Sequence, residues 1–597
     1  MKNKKINNII IIIVSIFLGF FVNISLAKHL SILDSIKTNT ILPILLSFAF
    51  YQLLIKANKI KDKRMSIIVA IIAIILSAFE MIGFSINTYL SLSGILCSKS
   101  NFIKYAIKFV SYTIILYSII KVIYGFIASY NFKEERNLQI FSNNKTRFLA
   151  SWILIILLWI PYFLRFYPGN ITPDSMSQIM QSLGLSNVTN HHPVFHTGFI
   201  ALAMNMGKLL GNYNTGVAIY CIMQMSIMSA IFALTVNYMA KKNVNFFIRI
   251  VTLLFYALYP VHALYSMTMW KDILFGGMML LFTINISEIS IDEKEFFSKK
   301  KNIILLTINM ILIFLFRNNG IYVLILLIPF MSVLIKNYRK KIVISFGVVI
   351  LAYVIINGPI FKILNIQKGS IREALSIPLQ QFARVTRDHK NTLKKNEKNS
   401  INNFLSSENL EKDYYEKISD RVKNNFNDEY FKYNKWEFIK LWITLGIKYP
   451  RTYVESFLCN SYGYWYPEAL HWVVSKEVYE SDNEVEKSIC LKQTPIIKNN
   501  LLDKMAQSPI DRKLPVICMI YSIGFNFWVF IVMLGYNIYK KEYKRCLIYL
   551  PVLFLWLTCL ASPVYCEFRY IYSLFTCLPV LIGVNFIKNI DVDNKKI

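Results

Sequence analysis

Runs of apolar residues, each closed by charged or turn-forming residues, recur along the whole chain and set its architecture. Read as helices that cross a bilayer, they predict fourteen spans: 9–27, 41–55, 66–87, 105–129, 148–166, 216–239, 246–265, 273–289, 303–316, 321–335, 342–357, 516–539, 546–562 and 571–588. The pair 303–316 and 321–335 is shorter than the roughly 20 residues of a full crossing and reads as a tight, tilted hairpin. The stretch 196–211 reads as an interfacial helix. The predicted fold class is therefore an all-α polytopic membrane protein.

Charge supports that count. With the N-terminus inside, the basic clusters at 56–64, 133–147, 241–242, 294–301, 336–341 and 540–545 all fall on the cytoplasmic side, as the positive-inside rule expects. Both termini are then cytoplasmic, 358–515 is extracytoplasmic, and the cell membrane is the expected location. The first span, preceded by Lys2, Lys4 and Lys5 and ending Ile24-Ser25-Leu26-Ala27, also reads as a cleavable signal sequence. Cleavage would leave the remaining topology unchanged.

Composition narrows the class. A hydrophobic content of 55% and a mean hydropathy of +0.43 exclude a soluble enzyme. A net charge of +31 would suit nucleic acid, but the basic residues sit in short clusters between apolar runs, so nucleic acid is not an expected partner. Nine scattered cysteines without a CxxC make no disulfide framework. Cys459 and Cys490 share the large outer region, where pairing and two free thiols both stay open.

Four regions follow. Residues 1–147 form an N-terminal membrane region of four spans, marked by Glu80, an acid inside the third span open to a structural or a functional role. Residues 148–357 are the first part of a membrane core and 516–597 its last three helices, with 358–515 a mainly helical insertion between them. The chain carries no internal repeat of the kind found in many transporters.

Candidate chemistry gathers in the outer loops. Between Glu135 and Asp272 the sole acid is Asp174, in Tyr167-Pro-Gly-Asn-Ile-Thr-Pro-Asp174 just past the fifth span. Thr172 and Pro173 read as the cap and first turn of a helix, which would also favour an acid there. A carboxylate so held is well oriented to accept a proton from a hydroxyl. His191 and His192 follow, with Pro193 and His196. His192 and His196 have an i, i+4 spacing that suits a metal, but no nearby acid or cysteine completes a zinc set. All seven histidines (29, 191, 192, 196, 262, 389 and 471) fall on the outer side.

Three cations stand singly in short outer loops: Lys271 beside Trp270 and Asp272, Arg317 beside Asn318, and Arg569 between Glu567 and Tyr570. Each alone fits snorkelling to headgroups; together they suit a phosphate. The aromatic run Tyr462-Gly-Tyr464-Trp465-Tyr466-Pro-Glu468, followed by His471-Trp472, reads as an interfacial belt or as a platform for sugar rings.

This arrangement resembles the GT-C-type membrane glycosyltransferases, the superfamily of protein mannosyltransferases and aminoarabinose transferases. An outer loop follows a span directly, carries Asp174 and continues into an interfacial helix, and the later loops at Trp270-Lys271-Asp272, Arg317 and Glu567/Arg569/Tyr570 are similar in placement. His191-His192-Pro193 with Trp270-Lys271-Asp272 and Arg317-Asn318-Asn319-Gly320 more closely resembles an uncharacterised bacterial family at that superfamily's edge.

The resemblance covers about 148–597. It implies inverting transfer of a sugar from a polyprenyl-phosphate donor to an acceptor hydroxyl on a cell-envelope glycan, lipid or protein. Asp174 would be the catalytic base, with Lys271, Arg317, Arg569, His191 and His192 on the donor phosphate. His196, Asp272, Asn318, Glu567, Tyr570 and Trp465 would contact acceptor or sugar. Ser175 follows Asp174 where many members carry a second acid, so a divalent metal is expected only if Asp272 or Glu567 approaches from another loop. An O-antigen-type polymerase or ligase using a diphosphate-linked glycan, and a non-enzymatic transporter of lipid-linked glycan, are the alternatives. An outward sensing or anchoring protein is a third.

Overall fold

The computed structural model describes residues 2–29, 41–130, 143–469, 478–479, 483–506 and 515–587. These are helical, with isolated bridges and no strand among the described residues. Eight helices are long and apolar enough to cross a membrane, or nine if one bent pair is a single span, and Asn8–Val22, Gly320–Leu334 and Leu550–Ala561 are shorter apolar helices. Multi-pass membrane insertion also explains side chains that water would not tolerate. Ile41, Ile44, Leu45 and Phe48 on one helix, and Ile344, Leu351 and Val354 on another, are each more than half exposed, as lipid-facing residues are.

Two of the expected spans take a different form. The run 246–265 breaks at Tyr259, where Phe246–Leu258 and Pro260–Ser266 meet at 49°, because Pro260 has no N–H to continue the ladder. The span at 342–357 lengthens through a π-helical turn, Ile356–Ile360, containing Pro359. The short hairpin forms as Lys300–Phe316 and Gly320–Leu334 around Arg317, and the interfacial stretch becomes the helix Val194–Leu209.

The chain divides into two compact units. Unit 1 comprises 1–131, 465–469 and 511–542. Within it Lys63–Tyr89 packs on Lys99–Ser129 and on Ile523–Lys540, and the Tyr124 hydroxyl donates to the Val532 carbonyl at 2.6 Å. The helix expected to open the last part of the core thus belongs to the N-terminal bundle, an affinity its largely apolar sequence does not encode.

Unit 2 comprises 132–464, 470–510 and 543–597. Its centre is Lys271–Ile291, packed against Tyr213–Lys241, Lys300–Phe316 and Tyr572–Gly583. The insertion has its own core, in which Phe382, Phe404, Phe431 and Phe438 meet Leu379, Ile401 and Leu445. Arg384 is buried among Asp388, Glu455 and Cys459. Cys459 is buried and Cys490 exposed, and both are free thiols.

Candidate functional site

A short extended stretch delivers Asp174. The Asn170 N–H donates to the Met267 carbonyl at 2.8 Å and the Met269 N–H returns to the Asn170 carbonyl at 3.2 Å. Gly169, at φ +151°, allows this approach: a Cβ there would lie 2.4 Å from the Cys221 sulfur. Thr172 then caps the helix Pro173–Ser182 as its sequence predicts, and its hydroxyl also accepts from the Trp270 indole at 2.8 Å. The Ser175 hydroxyl donates to the Met269 carbonyl at 2.9 Å. The loop bearing Asp174 and the loop bearing Lys271 are therefore one hydrogen-bonded body.

Arg569 reaches Asp174 from the last helical segment, with Nη1 donating to Oδ2 at 2.7 Å. Its Nε lies 3.1 Å from Glu567, and the guanidinium covers the Trp270 ring at 4.9 Å and the Tyr570 ring at 5.1 Å. The Asp174 side chain remains 36% exposed while that of Arg569 is 13% exposed, so the carboxylate faces the open side. Lys271 turns to His192, with Nζ 3.0 Å from Nδ1. Since the ammonium has only protons to give, His192 Nδ1 is the acceptor.

Arg317 and Asp272 lie behind this front. Arg317 is sandwiched between the Phe275 and Tyr570 rings, donates to the Tyr570 carbonyl at 2.6 Å, and sits 3.3 Å from Asp272. The Asp272 side chain is fully buried and accepts no hydrogen bond among the described residues. Aromatic rings enclose Arg317, and its counter-ion is the buried Asp272, so both expected ligands lie behind the open carboxylate of Asp174. Glu567 is likewise buried and holds Arg569.

Electrostatics follow from these distances. Burial raises the Asp174 carboxyl, but Arg569, Lys271 and His192 outweigh it and hold the group well below the usual carboxylate range. Burial, then Lys271, pushes His192 down to about 3 and His191 in the same direction. Both therefore favour the neutral imidazole.

Other expected residues lie elsewhere. His196 is fully buried, its Nδ1 3.1 Å from Gln178 and its Nε2 2.7 Å from the Tyr220 hydroxyl. Burial pushes it to about 3. It braces the loop from beneath rather than lining its open side. His262 is enclosed by Phe232, Tyr259 and Tyr572, and His389 stacks on Tyr449. Trp465 falls in unit 1, buried against Phe79, and Tyr462, Tyr464 and Tyr466 are also buried, so among the described residues this run presents no open aromatic platform. His471 and Trp472 lie outside the described residues.

An apolar groove of about 240 Å³ adjoins the His191 loop. Phe195, Phe314, Ile356, Phe361 and Leu364 line it, with Asn190, Asn318 and Asn357 at its polar margin. Asn318 donates to the Asn190 carbonyl at 3.0 Å, tying the hairpin apex to the histidine loop. Trp270, which carries Arg569, and Asn357, supplied by the π-helical turn, went unassigned in the sequence. Trp270 stood beside Lys271 as a visible signal, while Asn357 had none. Among the described residues no three His, Cys, Asp or Glu side chains converge as a metal-ligand set, and Asp272 and Glu567 turn to Arg317 and Arg569.

Residues 184–595 match a family model described as a family of unknown function, DUF6020. No curated protein and no solved structure matches the chain.

Proposed function

The chain belongs to the DUF6020 family, and on the geometry of its site we propose that it is a GT-C-like glycosyltransferase of the cell membrane, acting at the outer face on a polyprenyl-phosphate sugar. The fourteen-span, inside-to-inside topology read from charge belongs to the same proposal. One observation carries it: an accessible carboxylate, Asp174, is bound by Arg569 beside Lys271 and the neutral His192, on loops that follow or precede apolar helices.

Among the described residues the charges at the heart of this site balance. Asp174, Asp272 and Glu567 oppose Lys271, Arg317 and Arg569. A donor phosphate entering the site competes with Asp174 for Arg569, drawing the guanidinium away. Asp174 then loses the cation that keeps it weakly basic. The acceptor oxygen attacks the anomeric carbon as the bond from that carbon to the phosphate oxygen breaks, and the hydroxyl proton passes to Asp174. The products are the glycosylated acceptor and the lipid phosphate, whose charge Arg569 and Lys271 stabilise in a site partly closed to water. The apolar groove beside His191 suits the donor's lipid chain.

Supplying the purified protein in liposomes with polyprenyl-phosphate sugars tests the reading. Release of free polyprenyl phosphate with sugar on an acceptor supports it. Intact donor moved across the bilayer would instead identify a transporter.

A further inference from the structure

Unit 1 carries chemistry that sugar transfer does not use. Glu80 lies in Lys63–Tyr89, nine residues before the helix end, which places it about 13 Å along the axis from that end. Its neighbours in sequence, Leu76 to Phe84, include no other charge. The side chain is only 7% exposed and makes no hydrogen bond among the described residues. An unpaired carboxylate in an apolar bundle is costly, and such groups are retained for what they bind.

The segment 465–469 is pressed onto this part of the helix. Trp465 packs on Phe79 with ring centroids 5.3 Å apart, and the Tyr466 ring lies so close to Gly83 that a Cβ there would come within 2.3 Å of it. Glycine at 83 is what lets the ring sit one turn from Glu80. The segment is clamped from its other side, since the Trp528 indole donates to the Trp465 carbonyl at 2.8 Å. The Tyr466 hydroxyl donates to Glu468 at 2.9 Å.

Among the described residues, the ionisable groups that act on Glu80 are Glu468 and Tyr466 from this segment, and Lys108 and Tyr112 from Lys99–Ser129. Lys108 is itself drawn over the Phe84 ring at 4.5 Å. On Ile523–Lys540 the ionisable side chains, Tyr536, Tyr539 and Lys540, stand at the Lys63 end of the bundle with Asp62. Glu80 and Glu468 repel one another when both are ionised, and one proton held between them relieves that repulsion.

We propose that Glu80 and Glu468 form a proton-binding site in unit 1, holding one proton between them against Lys108. Such a site lets a membrane region respond to pH or to a proton gradient, and it does not rest on the glycosyl-transfer reading. The ligand is a proton; a monovalent cation is the rival occupant.

Dicyclohexylcarbodiimide, which modifies protonated carboxyls in apolar surroundings, tests this on the full chain in membranes, with label located by peptide mass spectrometry. Glu80 should be labelled at acid pH and progressively less as pH rises. Glu468→Gln removes the like charge, so labelling at a fixed alkaline pH should fall several-fold, whereas Lys108→Gln should raise it. Retained elution volume in detergent certifies each variant as folded. No label on Glu80 at acid pH, a label unchanged by pH, or one unmoved by Glu468→Gln overturns the proposal. Protection by sodium at constant pH overturns it in favour of a cation site.

Discussion

The Arg569 guanidinium donates to the Asp174 carboxylate at 2.7 Å across 395 residues of chain. That bond joins the first loop of unit 2 to its last helical segment. It also makes Asp174 a weak base until something else claims Arg569.

Arg569 should therefore resist conservative replacement. It spans Asp174, Glu567 and the Trp270 face at once, a planar fork that lysine lacks. Arg569→Gln should lower the rate of sugar transfer about 100-fold, near the ~3 kcal/mol typical of one preorganised donor. Arg569→Lys should recover only a minor part. Full activity in the lysine variant would show that charge alone matters.

Gly169→Ala addresses the loop rather than the chemistry. The backbone there is in a region that L side chains rarely adopt, and the new methyl would meet the Cys221 sulfur and the Met267 carbonyl. Transfer should fall at least tenfold with the helices preserved by circular dichroism. Wild-type activity would mean that the pinned geometry is unimportant.

Acid should destabilise the protein in two windows. Buried His192 and His196 titrate near 3 in the folded chain and near 6.5 unfolded. Their folded values are depressed, so the unfolded state binds more protons below about 6.5. Stability is full above that pH and declines toward 3, by about 2 kcal/mol per histidine at pH 5. Asp174, also depressed, adds its own loss only below about pH 4. The melting temperature in detergent should drop between pH 7 and 5, and His196→Gln should flatten that drop. Equal slopes would argue against a buried neutral His196.

The insertion should depend on Arg384. Its Nη2 donates to Glu455 at 2.9 Å within a buried network, and removing one partner of such a pair costs about 3 kcal/mol. Arg384→Ala should make 376–461 markedly more sensitive to limited proteolysis, while unit 1 keeps its wild-type pattern.

Much of the site was legible because single residues stood out. Asp174 was conspicuous as the one acid in a long acid-free stretch, and Thr172-Pro173 announced its helix start. Neighbours in sequence proved harder. Lys271 and Asp272 are adjacent, yet successive helix positions point about 100° apart, so one meets His192 and the other Arg317. The histidine pair at i, i+4 diverged for a different reason. His192 stands before the helix Val194–Leu209 and His196 within it, where Gln178 and Tyr220 close around its ring. Trp465 lay beyond sequence reasoning, because unit membership is set by packing partners such as Phe79 far away in the chain.

In the proposed reaction Asp174 takes the acceptor's proton. Asp174→Asn keeps the size of the side chain, sits at a partly exposed helix start capped by Thr172, and should fold normally. Wild type and variant, reconstituted at equal amounts, would be given radiolabelled polyprenyl-phosphate sugars and the initial rate of label transfer measured. The account predicts a loss of at least ~100-fold, of the order a positioned general base supplies, with donor binding retained or tightened as Arg569 is released. Equal rates in the two proteins would contradict it.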